Sequence, residues 1–156
     1  MSEFISELFG RMYYWLEDFF GDNLANYLRG FESNKQETNM FIGIGLSMII
    51  ITLAVTICYY YVINHPRLNN WKGWLIFLVI NAVINFFVGW QWVLNHYYAG
   101  YMVKKDKVTG EDVDLPINYD DILAFGVTNM IDAIIAFIVF SYIIKWWSTN
   151  CSRAPF

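Results

Sequence analysis

The residue whose type and position most clearly suggest chemistry is Asp132, a carboxylate within a long apolar stretch. Between residues 122 and 147 it is the single acidic residue, and the first basic residue is Lys145 near the far end. A charge at the centre of a bilayer costs about 2.5–3.5 kcal/mol on insertion scales, so such residues are paired or functional. Asp132 therefore requires a hydrogen-bonding partner or a role in binding.

Candidate partners lie in the preceding apolar stretch, where Asn81 and Asn85 are four residues apart and share a helix face. Thr128 and Asn129 share a face with Asp132 in the same way. If the two stretches form antiparallel helices, Asn85 and Asp132 each lie about ten residues from the end they share, and therefore at similar depth. The spacing predicts a polar interior formed by these five residues, with a contact between Asn85 and Asp132.

Three interpretations of Asp132 stay open from the sequence. In the first, it is a hydrogen-bonded carboxyl group that holds helices together. In the second, it is a proton or cation site that lines a pore formed by several copies of the chain. In the third, it contributes to a ligand-binding site.

The elements that must position these residues are three apolar stretches. The chain has 156 residues, of which 57% are apolar, 20% aromatic and 15% charged, whereas soluble domains carry about 25% charged residues. Residues 40–63, 74–95 and 122–147 are each long enough to cross a bilayer, which takes about 20 apolar residues. The sequence predicts an all-α membrane protein, with an N-terminal segment over residues 1–39 and a three-span domain over residues 40–156.

Small residues suggest where these helices approach one another. Gly43, Ser47 and Ala54 lie along one side of the first stretch, and Ala133 and Ala136 lie near Asp132 in the third. Small residues allow close packing in lipid, where no hydrophobic force drives helices together. Three helices have too few contacts to bury all these faces within one chain, which favours assembly into a homo-oligomer or a larger complex.

The N-terminal segment has helical periodicity over residues 3–31, with a break at Gly21-Asp22. Its predicted apolar face comprises Phe4, Ile5, Leu8, Met12, Leu16, Phe19 and Phe20. The opposite face is acidic, whereas helices that lie on membranes usually carry Lys and Arg there. An interfacial amphipathic helix, a helix that docks on partners or copies, and a regulatory element remain alternatives.

The loop between the second and third stretches contains Thr109-Gly110, preceded by lysines and followed by acidic residues. A turn at this dipeptide would pair opposite charges across two strands. A short β-hairpin is therefore a possible element of this loop.

Orientation follows weakly from the basic residues near the ends of the spans, whose numbers on the two sides are nearly equal. They are denser in the short first loop and the C-terminal tail, which places these segments in the cytoplasm by the positive-inside rule. We therefore expect the N-terminus outside and the C-terminus in the cytoplasm. The membrane would be a bacterial inner (plasma) membrane or the inner membrane of an organelle.

Several functional classes are disfavoured. His65 follows the first predicted span and His96 follows the second, so the two lie on opposite faces of the membrane, about 30 Å apart. They cannot jointly bind one haem or metal ion. Cys58 and Cys151 show no metal-binding spacing, and no nucleophile motif or phosphate-binding loop is present. A net charge of −4 without a basic patch disfavours binding to nucleic acid. We expect no catalysis, no cofactor and no bound metal.

The predicted function is that of a small, non-catalytic integral membrane subunit. Its partners would be the lipid bilayer and either copies of itself or other membrane subunits. The alternative is a homo-oligomeric ion or proton channel, or a membrane-permeabilising pore of the holin or toxin kind.

Overall fold

The computed structural model of the protein describes residues 2–30, 39–62, 68, 70–106 and 111–146, with backbone alone for residues 2–6 and 105. Three short helices come first: α1 (Ser2–Tyr14), α2 (Glu17–Phe20) and α3 (Asp22–Arg29). Three long helices follow: α4 (Met40–Ile57), α5 (Trp71–Tyr98) and α6 (Tyr119–Lys145). A π-helix over Cys58–Val62 continues α4.

The described residues contain three helices that are long and apolar enough to cross a membrane, Met40–Val62, Trp71–Tyr98 and Tyr119–Lys145. This confirms the predicted set of three apolar helices, although α5 and α6 each begin three residues earlier than predicted. The difference arises from polar caps. The Asn70 side chain accepts hydrogen bonds from two backbone N–H groups of α5, and Asn118 and Asp121 form a reciprocal capping box at α6. Residues 63 and 147 of the predicted spans lie outside the described residues.

In the described chain the most extensive helix contact is between α5 and α6, and two glycines permit it. A Cβ atom added at Gly89 would lie 2.9 Å from the Cβ of Asn129, and one added at Gly126 would lie 2.9 Å from the Cβ of Trp90. Both separations are shorter than any ordinary carbon–carbon contact. The side chains of one helix therefore pack directly onto the backbone of the other.

The N-terminal helices pack against one end of the long helices, the end next to the α5–α6 connection. The Tyr13 ring stacks on Phe41 of α4 at a centroid distance of 4.9 Å, and Phe20 meets Phe125 of α6 edge-on at 5.3 Å. Phe9 covers Gly45, where an added Cβ would clash with the phenyl ring. These contacts belong to a large aromatic and aliphatic core that joins the N-terminal helices to the bundle.

The predicted apolar face of the N-terminal segment is partly wrong. Phe9 and Tyr13 are buried, whereas Leu8 and Phe19 are about half exposed. Within α1 the buried face is displaced by one residue, because Phe9 packs on Gly45 and Tyr13 on Phe41 of α4. The turn at residues 15–16 then interrupts the helix and changes its phase before Phe19. The predicted break is present, since Gly21 adopts φ +88° between α2 and α3. Phe4 and Ile5 have no described side chains.

An ion pair fixes α2 against α3. The Arg29 guanidinium donates to both carboxylate oxygens of Glu17, with an Nη1–Oε1 distance of 2.7 Å. Glu17 is buried, although the periodicity assigned it to the polar face. The Arg29 guanidinium also lies 5.9 Å from the centroid of the Tyr14 ring, a cation–π contact. The three short helices thus form one packed unit.

The α5–α6 connection contains a two-stranded antiparallel sheet of β1 (Val103–Lys105) and β2 (Asp112–Asp114). This confirms the predicted hairpin, and the register pairs Lys105 with Asp112 across the strands. Its turn lies outside the described residues. The strands are flanked by Met102, Leu115 and Ile117, which are buried in the same core as the N-terminal helices. They anchor the hairpin to the end of the bundle that the N-terminal helices cover.

Replacing Gly89 by Ala should lower the free energy of unfolding by about 1–3 kcal/mol, because the added methyl group forces α5 away from α6. The measurement is detergent-titration unfolding followed by tryptophan fluorescence. Gly10→Ala is the matched control, since no atom lies within 4 Å of its added Cβ and helix propensity favours Ala by up to about 1 kcal/mol. Equal stability of Gly89→Ala and wild type would show that the helices do not need this close approach.

Candidate functional site

The candidate site is a cluster of polar side chains enclosed by the three long helices. Asn81, Asn85, Thr128 and Asn129 are completely buried, and Asp132 is 4% exposed. Thr52 of α4 is also completely buried beside them. Burying polar groups without hydrogen bonds is costly, so each of these groups must find a partner inside the bundle.

Two hydrogen bonds join α5 and α6 in opposite directions. The Asn129 amide donates from Nδ2 to the backbone oxygen of Asn85 at 2.7 Å. The Asn81 amide donates from Nδ2 to the backbone oxygen of Ala133 at 3.0 Å. The two helices are thereby fixed in register, with Asn129 level with Gly89.

Asn85 connects this pair of helices to α4. Its Nδ2 donates to the backbone oxygen of Asn81 at 2.9 Å, to the side-chain oxygen of Asn81 at 3.1 Å and to Thr52 Oγ1 at 3.4 Å. No hydrogen bond joins Asn85 to Asp132 among the described residues, because Asn85 Nδ2 donates along its own helix and towards α4. Asp132 has a different partner.

Tyr13 of α1 reaches into the cluster from outside the long helices. Its hydroxyl donates to Asn129 Oδ1 at 2.7 Å. Burial raises the pKa of this hydroxyl well above its usual value of 10.0, so it remains a donor at neutral pH. The sequence does not predict this role for Tyr13, because a tyrosine in an amphipathic segment carries no sign that its hydroxyl will face a residue 116 positions away.

The partner of Asp132 is Trp15, in the turn between α1 and α2. The indole Nε1 donates to Asp132 Oδ1 at 3.2 Å. The second carboxylate oxygen, Oδ2, is buried and has no hydrogen-bond partner among the described residues, and the same holds for Asn85 Oδ1. The cluster thus contains two buried acceptors for which the described part of the chain supplies no donor.

Thr128 differs from the other predicted members of the cluster. Its hydroxyl donates to the backbone oxygen of Ala124 at 3.1 Å, one turn earlier in the same helix. Its hydrogen bond therefore contributes nothing to the cross-links between helices.

The predicted packing residues divide between inward and outward positions. Ala133 is buried and Ala136 half-buried in α6, while Gly43 and Ser47 are half-buried in α4. A Cβ added at Gly43 would contact the Trp92 ring at 3.4 Å, so this glycine faces α5. Ala54 is exposed, which leaves the far end of the small-residue stripe without a partner in the described chain.

No group of three or more His, Cys, Asp and Glu side chains with the geometry of a metal site occurs among the described residues. His96 lies in the last turn of α5, with its Nδ1 3.2 Å from the Tyr27 hydroxyl. Burial raises the pKa of Tyr27 to about 12, so this hydroxyl is neutral at physiological pH. Cys58 is a free thiol. His65 and Cys151 lie outside the described residues.

Replacing Tyr13 by Phe should lower the free energy of unfolding by about 1–3 kcal/mol, because Asn129 Oδ1 becomes a buried acceptor without a donor. The measurement is again detergent-titration unfolding. Tyr14→Phe is the matched control, since Tyr14 is 68% exposed and loses no buried hydrogen bond. If both variants lose the same stability, the Tyr13 hydroxyl does not support the cluster.

Protein-family models, curated proteins and solved structures were compared with the chain, and none of them matches it. The functional inference therefore depends on the geometry of its own residues.

Proposed function

We propose that the protein is a small, non-catalytic integral membrane subunit that assembles with copies of itself or with other membrane subunits. The observation that carries this proposal is the distribution of polarity. The buried cluster bonds mainly to itself, whereas the outward faces of the long helices are apolar. This is the inverse of a soluble helix bundle and suits a hydrocarbon environment.

The outward faces expose large apolar side chains along most of their length. They include Leu46, Ile50, Leu53 and Ile57 of α4, Leu75, Ile76, Val79, Ile80, Val83, Ile84 and Phe87 of α5, and Ile135, Val139 and Ile143 of α6. Continuous apolar surface on this scale is rare in soluble monomers. Exposed Trp71 and Trp146 flank this surface at one end and Tyr98 and Tyr119 at the other, as aromatic residues do at membrane interfaces.

Surface that a single chain leaves exposed supports the proposed assembly. Ala54 faces outward on α4, and small outward residues allow a second helix to approach closely. The N-terminal helices bury their inner side against their own bundle, so a docking surface on them is limited to the outer side with Leu8, Tyr14 and Phe19. We further propose that the end of the bundle covered by the N-terminal helices lies outside and the C-terminus in the cytoplasm, in a bacterial inner membrane or an organellar inner membrane.

Variants of Asp132 test the proposal. Asp132→Asn should preserve assembly, because the amide oxygen still accepts the Trp15 hydrogen bond. Asp132→Leu should weaken it, since loss of a buried hydrogen bond costs about 1–3 kcal/mol and loosens the N-terminal helices. Oligomer size is measured by native mass spectrometry and by cross-linking in membranes.

The matched control is Asp120→Leu, which alters an exposed acid in the first turn of the same helix. It should assemble as wild type does. Equal assembly of wild type, Asp132→Asn and Asp132→Leu would contradict the structural role of Asp132, and a strict monomer in native membranes would contradict the subunit proposal.

A second candidate function is a homo-oligomeric ion or proton channel, or a membrane-permeabilising pore. It is favoured by one observation, the buried Asp132 Oδ2 that has no partner among the described residues. A polar group of this kind is typical of ion and proton pathways.

This candidate predicts that liposomes containing the protein pass protons or small cations, and that Asp132→Asn changes the flux or its selectivity while the oligomer persists. Flux is measured with a pH-sensitive dye and with potassium-loaded vesicles. Tight vesicles containing fully assembled protein would exclude the channel and leave the subunit proposal standing.

A further inference from the structure

Asp132 is isolated from every positive charge that the structure describes. Its helix carries no other charged residue between Ile122 and Ile144, α4 carries none, and α5 carries none beyond Lys72 in its first turn. In the short helices that pack beside it, both described arginines are paired with glutamates of the same short helices. Arg11 bonds to Glu7, and Arg29 bonds to Glu17.

The titratable group that faces Asp132 from α1 is Tyr13, and its hydroxyl is already committed to Asn129. Asp18 of α2 is exposed and points away from the core. An ionised carboxylate at Asp132 would therefore be compensated by a single indole N–H group. Charges buried in apolar surroundings without a partner are strongly disfavoured.

A carboxylic acid fits the same position better. Its O–H group provides a donor at Oδ2, the oxygen for which no donor is described. An acceptor without a donor, Asn85 Oδ1, lies on the facing helix at the same level, because the bonds from Asn129 and Asn81 hold that level of α5 against residues 129–133. The surroundings of Asp132 therefore suit a carboxyl group that carries a proton.

Access to the carboxyl group is covered by Trp15. The indole donates to Asp132 Oδ1 from a turn between two helices, and the residue is 56% exposed, so its ring lies on the surface of the bundle with its outer side free. Asp132 itself is 4% exposed. The ring is attached to the cluster by one hydrogen bond of 3.2 Å, and the turn at residues 15–16 gives it a point about which to move.

We propose that Asp132 is a proton-binding site inside the helix bundle and that Trp15 is the lid that controls access to it. Displacing the indole removes the one donor to the carboxyl group and opens a path to it from the surface. The proposal depends on the membrane-embedded bundle of the proposed function and not on assembly. Oligomer size measured on the same samples therefore separates the two.

The test uses the full-length protein in lipid nanodiscs with N,N′-dicyclohexylcarbodiimide, an apolar reagent that modifies protonated carboxyl groups. The acid proton moves to a carbodiimide nitrogen, and the carboxyl oxygen bonds to the central carbon. The resulting O-acylisourea rearranges to a stable N-acylurea, which peptide mass spectrometry locates. Asp132→Asn removes the reactive group and gives the background.

Wild type should be labelled slowly at Asp132, and Trp15→Ala should be labelled several-fold faster, with labelling that declines as the pH is raised. Phe19→Ala is the matched control, since Phe19 is likewise 56% exposed and makes no described bond to the cluster. It should be labelled as slowly as wild type. Trp15→Phe keeps the ring but lacks the N–H donor, and it should react at an intermediate rate.

If Trp15→Ala loses its helical circular dichroism, the labelling rate of Asp132 in Trp15→Phe tests the lid instead, because a phenyl ring preserves most of the packing. Equal labelling of Asp132 in wild type and in the folded Trp15 variants would overturn the lid. Absence of labelling in every variant at low pH would overturn the proton site.

Discussion

The constraint on which the structure depends is that polar groups inside an apolar bundle must bond to one another. Asn81, Asn85 and Asn129 meet it by donating to backbone and side-chain oxygens of neighbouring helices. Such bonds are directional, so they fix the register of α5 and α6 where dispersion forces between apolar faces would tolerate sliding. Gly89 belongs to the same arrangement, since it admits Asn129 to the helix surface.

The N-terminal helices are part of this network as well as a cover for it. Tyr13 donates to Asn129 and Trp15 donates to Asp132, and each donor belongs to an aromatic side chain of the N-terminal segment. An aromatic ring with one polar atom suits this position, because it fills apolar space and delivers a single hydrogen bond. The hydrogen bonds of the polar interior therefore include two from a segment that lies outside the three long helices.

Hydropathy and charge were sufficient to predict the three long helices and the hairpin, because both are local properties of the chain. The Asn and Asp members of the polar cluster were also identifiable, since these residues stand out in apolar stretches, whereas Thr52 of α4 was not predicted. Their hydrogen-bond partners in the N-terminal segment could not be identified from the sequence. Trp15 and Asp132 are 117 residues apart, and an indole in an amphipathic helix is indistinguishable from a packing residue. The hydrogen bonds of Asn85 and Asp132 could not be predicted, because equal depth says nothing about the direction of an amide.

The pairing of Tyr13 with Asn129 has a consequence for biosynthesis. The two residues are separated by 116 positions, so α1 leaves the ribosome long before its binding surface on α6 exists. At about 5–20 residues per second the interval is roughly 6 to 23 s. During that time the nascent N-terminal helices must keep Phe9, Tyr13 and Phe20 out of water by other means. If the protein inserts into a membrane as proposed, the lipid surface is the adjacent apolar phase, and maturation ends with the transfer of these helices from lipid to protein.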